Sequence, residues 1–199
     1  MKKTFNNKFN RVVYEIFAGD YFVTNEKNIM LSTLLGSCVS VCLKDKISGI
    51  VGINHFMLPA SVKKEELIIS DDARYGMYAM EKMINEMMKL GARRSSLQAK
   101  VFGGGAVLGT KINNVSKSNI SFAMDYLKME DIPILSYDVG GKVGRKLYFI
   151  PETFAVFVKK VGQEANLVKA VRAEENYLHQ MRRSREERAT SADNLTLFE

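Results

Sequence analysis

Two cysteines, two histidines and the lack of any long apolar run close several routes to common chemistry for this 199-residue sequence. Cys38 and Cys42 stand four apart. On a regular strand that spacing puts them on one face about 13 Å apart, too far to bridge. A disulfide framework is thereby excluded. Metal binding is poorly served too, because the only imidazoles available to join the thiols are His55 and the distant His179, and no metal is expected. No segment approaches the roughly 20 apolar residues of a membrane-spanning helix. The opening MKKTFNNKFNRVVYEIF is basic but holds no uninterrupted apolar stretch of signal-peptide length. A cytoplasmic chain without membrane insertion is the expectation. The glycine run Gly103-Gly104-Gly105 lacks the Gly-Lys-Ser/Thr ending of a nucleotide loop. Tight turning or close approach to a substrate chain is expected there instead of phosphate cradling.

What is present suffices for one core. A 46% hydrophobic content over this length supports a single domain with an appended tail. Basic residues outnumber acidic ones by 29 to 22, giving a net charge of +7, which favours an acidic partner without choosing its kind. Segments 21–24 and 29–35 read as strands, and 39–43 alternates with a period of two. A polar turn over 44–49 should lead into a strand over 50–57. After the polar residues Ser70, Asp71 and Asp72, Met77, Met80, Met83, Ile84, Met87 and Met88 recur at helical spacing and Gly91 closes the pattern. That stripe reads as core, with an adaptable binding groove as the alternative. A strand is expected over 97–102, a helix over 118–129, and strands over 132–137, 146–150 and 155–161. The last two should form a hairpin through Pro151-Glu152-Thr153. Residues 1–163 form the expected catalytic domain and 164–199 a charged tail, helical to Arg188 with Leu167, Val171, Leu178 and Met181 as a docking stripe, then disordered. Arg182, Arg183 and Arg185 are followed at once by Glu186 and Glu187, so a screened helix surface is expected and no nucleic-acid contact.

Chemistry concentrates at Cys38 and His55, the one histidine before His179. A free thiol is mostly protonated at neutral pH, and a nearby imidazole is the simplest way to activate it. Two neighbouring strands joined by a short turn would bring the pair together. A third group should orient the imidazole, and the candidates are the hydroxyls of Ser32 and Thr33, and Asn54, whose side chain should point to the opposite face from His55 on a regular strand. Strand parity groups Ser32 with Cys38, although the chain must bend near Gly36 for Ser32 to reach the site. Backbone N–H groups at Gly36 and Ser37 could stabilise an oxyanion. The same residues also read as small core hydrophobes and a structural histidine, and spacing does not decide.

The strings LLGSCVSVCL, INHFMLP, DDARYGMYAMEKMINEMMKLGARR, KVFGGGAVL and DVGGKVGRKLYFIPETFAVFVKK occur in that order between about residues 21 and 160. Together they closely resemble the chemoreceptor glutamine deamidase family of bacterial chemotaxis, CheD. The resemblance implies an α/β (α+β) sandwich of mixed β-sheets with helices packed on one side. It implies hydrolysis of selected glutamine amides on methyl-accepting chemoreceptors, with Cys38 as nucleophile, His55 as base and no cofactor. The family's threonine, six residues before the cysteine, is Ser32 here, with Thr33 the alternative hydroxyl. Gly103, Gly104, Gly105 and Arg145 lie on loops that are candidates for substrate contact. Implied partners are receptor cytoplasmic domains and, in some organisms, a CheC-type phosphatase. A non-catalytic adaptor that binds the same partners is the alternative function.

Overall fold

The computed structural model describes residues 1–58, 71–107, 109–162 and 165–192. Among the described residues, ten strands form two five-stranded sheets. The first contains β1 (Lys2–Asn6), β2 (Arg11–Ile16), β4 (Ile29–Leu35), β9 (Gly144–Ile150) and β10 (Ala155–Val161), in the order β1-β2-β4-β9-β10. The second contains β3 (Tyr21–Thr24), β5 (Val39–Asp45), β6 (Val51–Asn54), β7 (Leu97–Gly103) and β8 (Ile134–Val139), in the order β3-β6-β5-β7-β8. Both sheets are mixed: β2 runs parallel to β4 and β7 parallel to β8, and the other neighbours are antiparallel. Parallel neighbours need a crossover. For β7 and β8 it is the helix α2 (Gly109–Met129).

The period-two pattern of β5 explains the layers. Val39, Val41 and Leu43 face α2 and the helix α1 (Asp71–Lys89), where they meet Met80, Met83, Ile84, Met87, Phe122 and Leu127. Cys42 points the other way, into a core shared with Leu31, Leu35, Leu147 and Phe149 of the first sheet. The methionine stripe is thus core. Met80, Met83 and Met87 are fully buried, each contributing about 1.5–3 kcal/mol of burial, while Met88 stays exposed. The expected α+β sandwich, with both of these helices on one side, is the observed architecture.

The turn after β5 is held by Asp45. Its buried carboxylate accepts from the Ile47 and Arg93 N–H groups and from the Ser48 and Ser96 hydroxyls. Strands β1 and β2, absent from the sequence reading, lie at the edge of the first sheet, where β1 buries almost nothing. The last helix, α3 (Ala165–Ala192), is docked. Leu167 and Val171 pack with Leu34, Val107 and Val161, and Leu178 and Met181 close on the core between the sheets. Disorder was expected from residue 189, but the helix continues to Ala192. Residues 193–199, the expected boundary at 163–164, Pro59 and the Ser70 cap lie outside the described residues.

Candidate active site

Gly36, Ser37 and Cys38 form the crossing from the first sheet to the second, between β4 and β5. Each of their carbonyls is held. Gly36 O accepts from Gly105 N–H at 2.8 Å and Cys38 O from Gly104 N–H at 2.7 Å. Ser37 O accepts from the Asn119 side-chain amide at 3.0 Å, and Asn119 is itself oriented by accepting from Leu58 N–H at 2.8 Å. The Ser37 N–H shares its peptide plane with the held Gly36 carbonyl, and the Gly36 N–H belongs to the peptide of Leu35 at the end of the β4–β9 pairing; both point to one carboxylate, that of Glu174. The glycine run thus backs the turn that carries Cys38. Gly103 has φ +111°, and a Cβ there would stand 2.3 Å from Cys38 O. Gly103, Gly104 and Gly105 are all buried. Arg145 is buried as well, its guanidinium donating to Gly140 O at 2.8 Å and pairing with Asp138 at 2.7 Å. These contacts are internal.

His55 follows β6 directly. Its N–H donates to Asp20 O at 3.0 Å and its carbonyl accepts from Gly19 N–H at 2.8 Å, which leaves the ring between the sheets. Thr33 Oγ1 donates to Ile16 O at 2.8 Å and lies 2.8 Å from His55 Nδ1. A hydroxyl carries one hydrogen and the carbonyl takes it, so the ring must be the donor in the second bond. The proton therefore sits on Nδ1, and the lone pair of the neutral ring is on Nε2. Ser32 does not reach the ring. It lies on the opposite face of β4, where its buried Oγ has no hydrogen-bond partner among the described residues. The parity expectation is corrected here. β4 and β5 belong to different sheets, and the turn at 36–38 resets the alternation that grouped Ser32 with Cys38. Asn54 faces away from His55, as alternation requires, its Oδ1 accepting from Val41 N–H at 2.9 Å.

One member of the site comes from the expected tail. Glu174 of α3 is 2% exposed and inserts its carboxylate beside Cys38 and His55. Its Oε1 accepts from Gly36 N–H at 2.8 Å, and Oε2 accepts from Ser37 N–H at 3.0 Å and Ser37 Oγ at 3.1 Å. Oε1 also stands 3.6 Å from His55 Nε2. Burial raises the carboxyl's pKa, but the imidazolium form of His55 and the two N–H groups outweigh it and hold the group below its usual range. The Cys38 thiol is pushed well above its ordinary pKa, first by burial and then by the charge of Glu174 and a hydrogen bond to it. Cys38 Sγ, a His55 nitrogen and a Glu174 oxygen lie within 4.8 Å of one another, a set that could in principle ligate a metal. Three N–H and O–H donors already engage the carboxylate, which gives it the setting of an anion in a donor cradle.

Sequence reading missed two of these residues. Asn119 sits inside the expected helix 118–129 and is fully buried, and nothing in its neighbours marks it. Glu174 did carry a signal. The spacing of Leu167, Val171, Leu178 and Met181 leaves one vacant position in a three-and-four repeat, and Glu174 fills it.

The family described as CheD chemotactic sensory transduction matches residues 57–160. A protein of Shewanella oneidensis, named "Probable chemoreceptor glutamine deamidase CheD 1", is 47% identical over 158 residues, covering 79% of this chain and 76% of its own length. A protein of Herminiimonas arsenicoxydans, named "Probable chemoreceptor glutamine deamidase CheD", is 43% identical over 178 residues, covering 89% of this chain and 87% of that one. A match of that extent leaves too little of the chain outside it to omit Cys38 or His55. Among solved structures, the Bacillus licheniformis hypothetical protein YfiH superposes with a TM-score of 0.41 at 12% identity, over 62% of this chain and 50% of that one.

Proposed function

This chain belongs to the chemoreceptor glutamine deamidase family CheD, and from that premise we propose that Cys38, His55 and Thr33 hydrolyse glutamine side-chain amides on chemoreceptors to glutamates, releasing ammonia. The observation that carries the assignment of residues is the cradle. Two backbone N–H groups, from Gly36 and Ser37, already grip a side-chain carboxylate beside the thiol and the imidazole. The group that fills it has the shape of the reaction's product.

The steps follow from proton positions. His55 Nε2 carries the lone pair and takes the Cys38 proton as sulfur attacks the amide carbon. The resulting oxyanion is held by the N–H groups of Gly36 and Ser37, the second fixed through the held Gly36 carbonyl of its own peptide and the first by the end of the β4–β9 pairing, so that little reorganisation is needed. The imidazolium returns its proton to the amide nitrogen and ammonia leaves. A water deprotonated at Nε2 then cleaves the thioester, giving glutamate and the free thiol. Throughout, Thr33 accepts from Nδ1–H and keeps the ring in the competent tautomer.

The proposed partners are chemoreceptor cytoplasmic domains and, in organisms that carry one, a CheC-type phosphatase. The proposed location is the cytoplasm, in keeping with the finding that no described helix is long and apolar enough to cross a membrane. The net charge of +7 suits an acidic receptor surface, and such attraction should weaken with salt. The test is mass spectrometry of receptor cytoplasmic fragments after incubation with wild-type and Cys38→Ala protein. The expected result is the amide-to-acid mass change with wild type only. Unchanged fragments that still bind both proteins would make the chain an adaptor.

A further inference from the structure

The nucleophile of an enzyme that acts on another protein's side chain has to be reachable. Here Cys38 is 0% exposed and His55 3%, and among the described residues Glu174 of α3 stands directly against both. We propose that α3 occupies the substrate position of the deamidase site, presenting Glu174 as a built-in copy of the product, and that it must lift away before a receptor segment can reach Cys38. This inference rests on the deamidase reading for the identity of the product.

Three observations carry it. The docking stripe of α3 is apolar at Leu167, Val171, Leu178 and Met181, and its central position is a charged residue. A buried carboxylate is an expensive choice for simple packing. It is well matched only to the donors beneath it: Oε1 to Gly36 N–H, and Oε2 to Ser37 N–H and Oγ. A glutamine amide in the same pose would set its NH₂ against one of those N–H groups, so the cradle favours the acid over the amide. Second, the room for α3 is built into the site. A Cβ on Gly36 would stand 2.8 Å from Glu174 Oε2 and 2.9 Å from Val171 Cγ2. Third, one turn further along, Tyr177 of α3 hydrogen-bonds through its hydroxyl to Tyr75 of α1, latching the helix beside the site.

A supporting role for Glu174 in a catalytic triad fails on geometry. A supporting carboxylate binds the imidazole nitrogen remote from the nucleophile, and here Thr33 has that nitrogen. Glu174 faces Nε2, the atom that must receive the thiol proton, and its charge keeps the thiol protonated. It therefore blocks the proton path.

Two variants of the full chain test the proposal. In Glu174→Gln the helix delivers an amide to the thiol. Cys38 Sγ bonds to the amide carbon of the side chain introduced at position 174, the C–N bond breaks and ammonia leaves with a proton from His55. Water then hydrolyses the thioester, restoring Glu174 and the thiol. Peptide mass mapping should show residue 174 reverting from amide to acid, and remaining amide when Cys38→Ala is added. In Val171→Asp the stripe is broken at a side chain that packs over Gly36 but supplies no group to the chemistry. Cys38 should then be alkylated by iodoacetamide at least about tenfold faster than in wild type, and receptor fragment should be deamidated faster as its competent fraction rises. Protection of Cys42, fully buried between the sheets, reports that the sandwich has stayed folded.

Unchanged Cys38 alkylation in folded Val171→Asp overturns the proposal, whatever the receptor assay gives. A Glu174→Gln protein that keeps its amide while deamidating receptor fragment overturns the product-mimic position and leaves the deamidase reading intact. Inert receptor fragment together with accelerated alkylation refutes the deamidase reading and upholds α3 as the cover over the thiol.

Discussion

Replacing Thr33 by valine removes one oxygen atom from a site that gives it two jobs. Thr33 Oγ1 donates to Ile16 O and accepts from His55 Nδ1–H, each at 2.8 Å, and the residue is 0% exposed. Valine fills the same volume, so no cavity term enters. The loss is two buried polar groups without partners, about 1–3 kcal/mol each. The ring can relieve its share by moving its proton to Nε2, which leaves the Ile16 carbonyl and a net destabilisation of roughly 1–3 kcal/mol. That relief removes the lone pair that receives the Cys38 proton. Loss of general-base action costs about a hundredfold or more in rate. Thr33→Ser keeps the oxygen and loses one methyl, so it should cost on the order of 1 kcal/mol and leave activity within about tenfold of wild type. Ser32→Ala deletes a buried hydroxyl with no partner among the described residues, so neither stability nor rate should fall. Ammonia release from receptor fragment, thermal melting and imidazole ¹⁵N shifts read these three effects separately. If Ser32→Ala abolishes ammonia release and Thr33→Val leaves it intact, the tautomer argument is refuted.

Other perturbations follow from the same contacts. Burial raises the pKa of Asp45, but bonds from Ser96, the Ile47 N–H, Ser48 and the Arg93 N–H outweigh it and hold the carboxyl well below its usual range. The unfolded chain therefore binds the extra proton first. This stabilisation is complete above the ordinary aspartate pKa near 4, fades as pH falls towards the folded value, and should show as a melting temperature that drops in acid and drops less in Asp45→Asn. Gly103→Ala puts a Cβ at φ +111° and 2.3 Å from Cys38 O, so a loss of about 3 kcal/mol and reduced ammonia release are expected from denaturant melts and activity assays. Cys42, its thiol pushed up to about 12 chiefly by burial, should resist alkylation at neutral pH until the protein is unfolded.

The layers were legible where burial is one-sided. The alternation at 39–43 and the methionine spacing at 77–87 each report a single buried face, and the structure supplies those faces. β1 was invisible because it buries almost nothing and so carries no pattern. The start of α2 was missed for a related reason, since 109–118 is polar and glycine-led. Cys38 and His55 were legible through family likeness more than through spacing. The choice between Ser32 and Thr33 was not, because it turns on a change of sheet that no local pattern encodes. Glu174 was hidden by its company: in a segment crowded with charge, one more carboxylate reads as solvated.

The seam at Gly36–Cys38 has a bearing on how this protein should fail. Thr33 and its Ile16 anchor sit in one sheet, while the sulfur and the imidazole are carried by the other. Under the proposed mechanism turnover senses the registration of two slabs against each other. On gentle heating or in dilute urea, a slip between them would silence the enzyme while circular dichroism still recorded intact strands, so loss of ammonia production would be the earliest warning of a loosening interior.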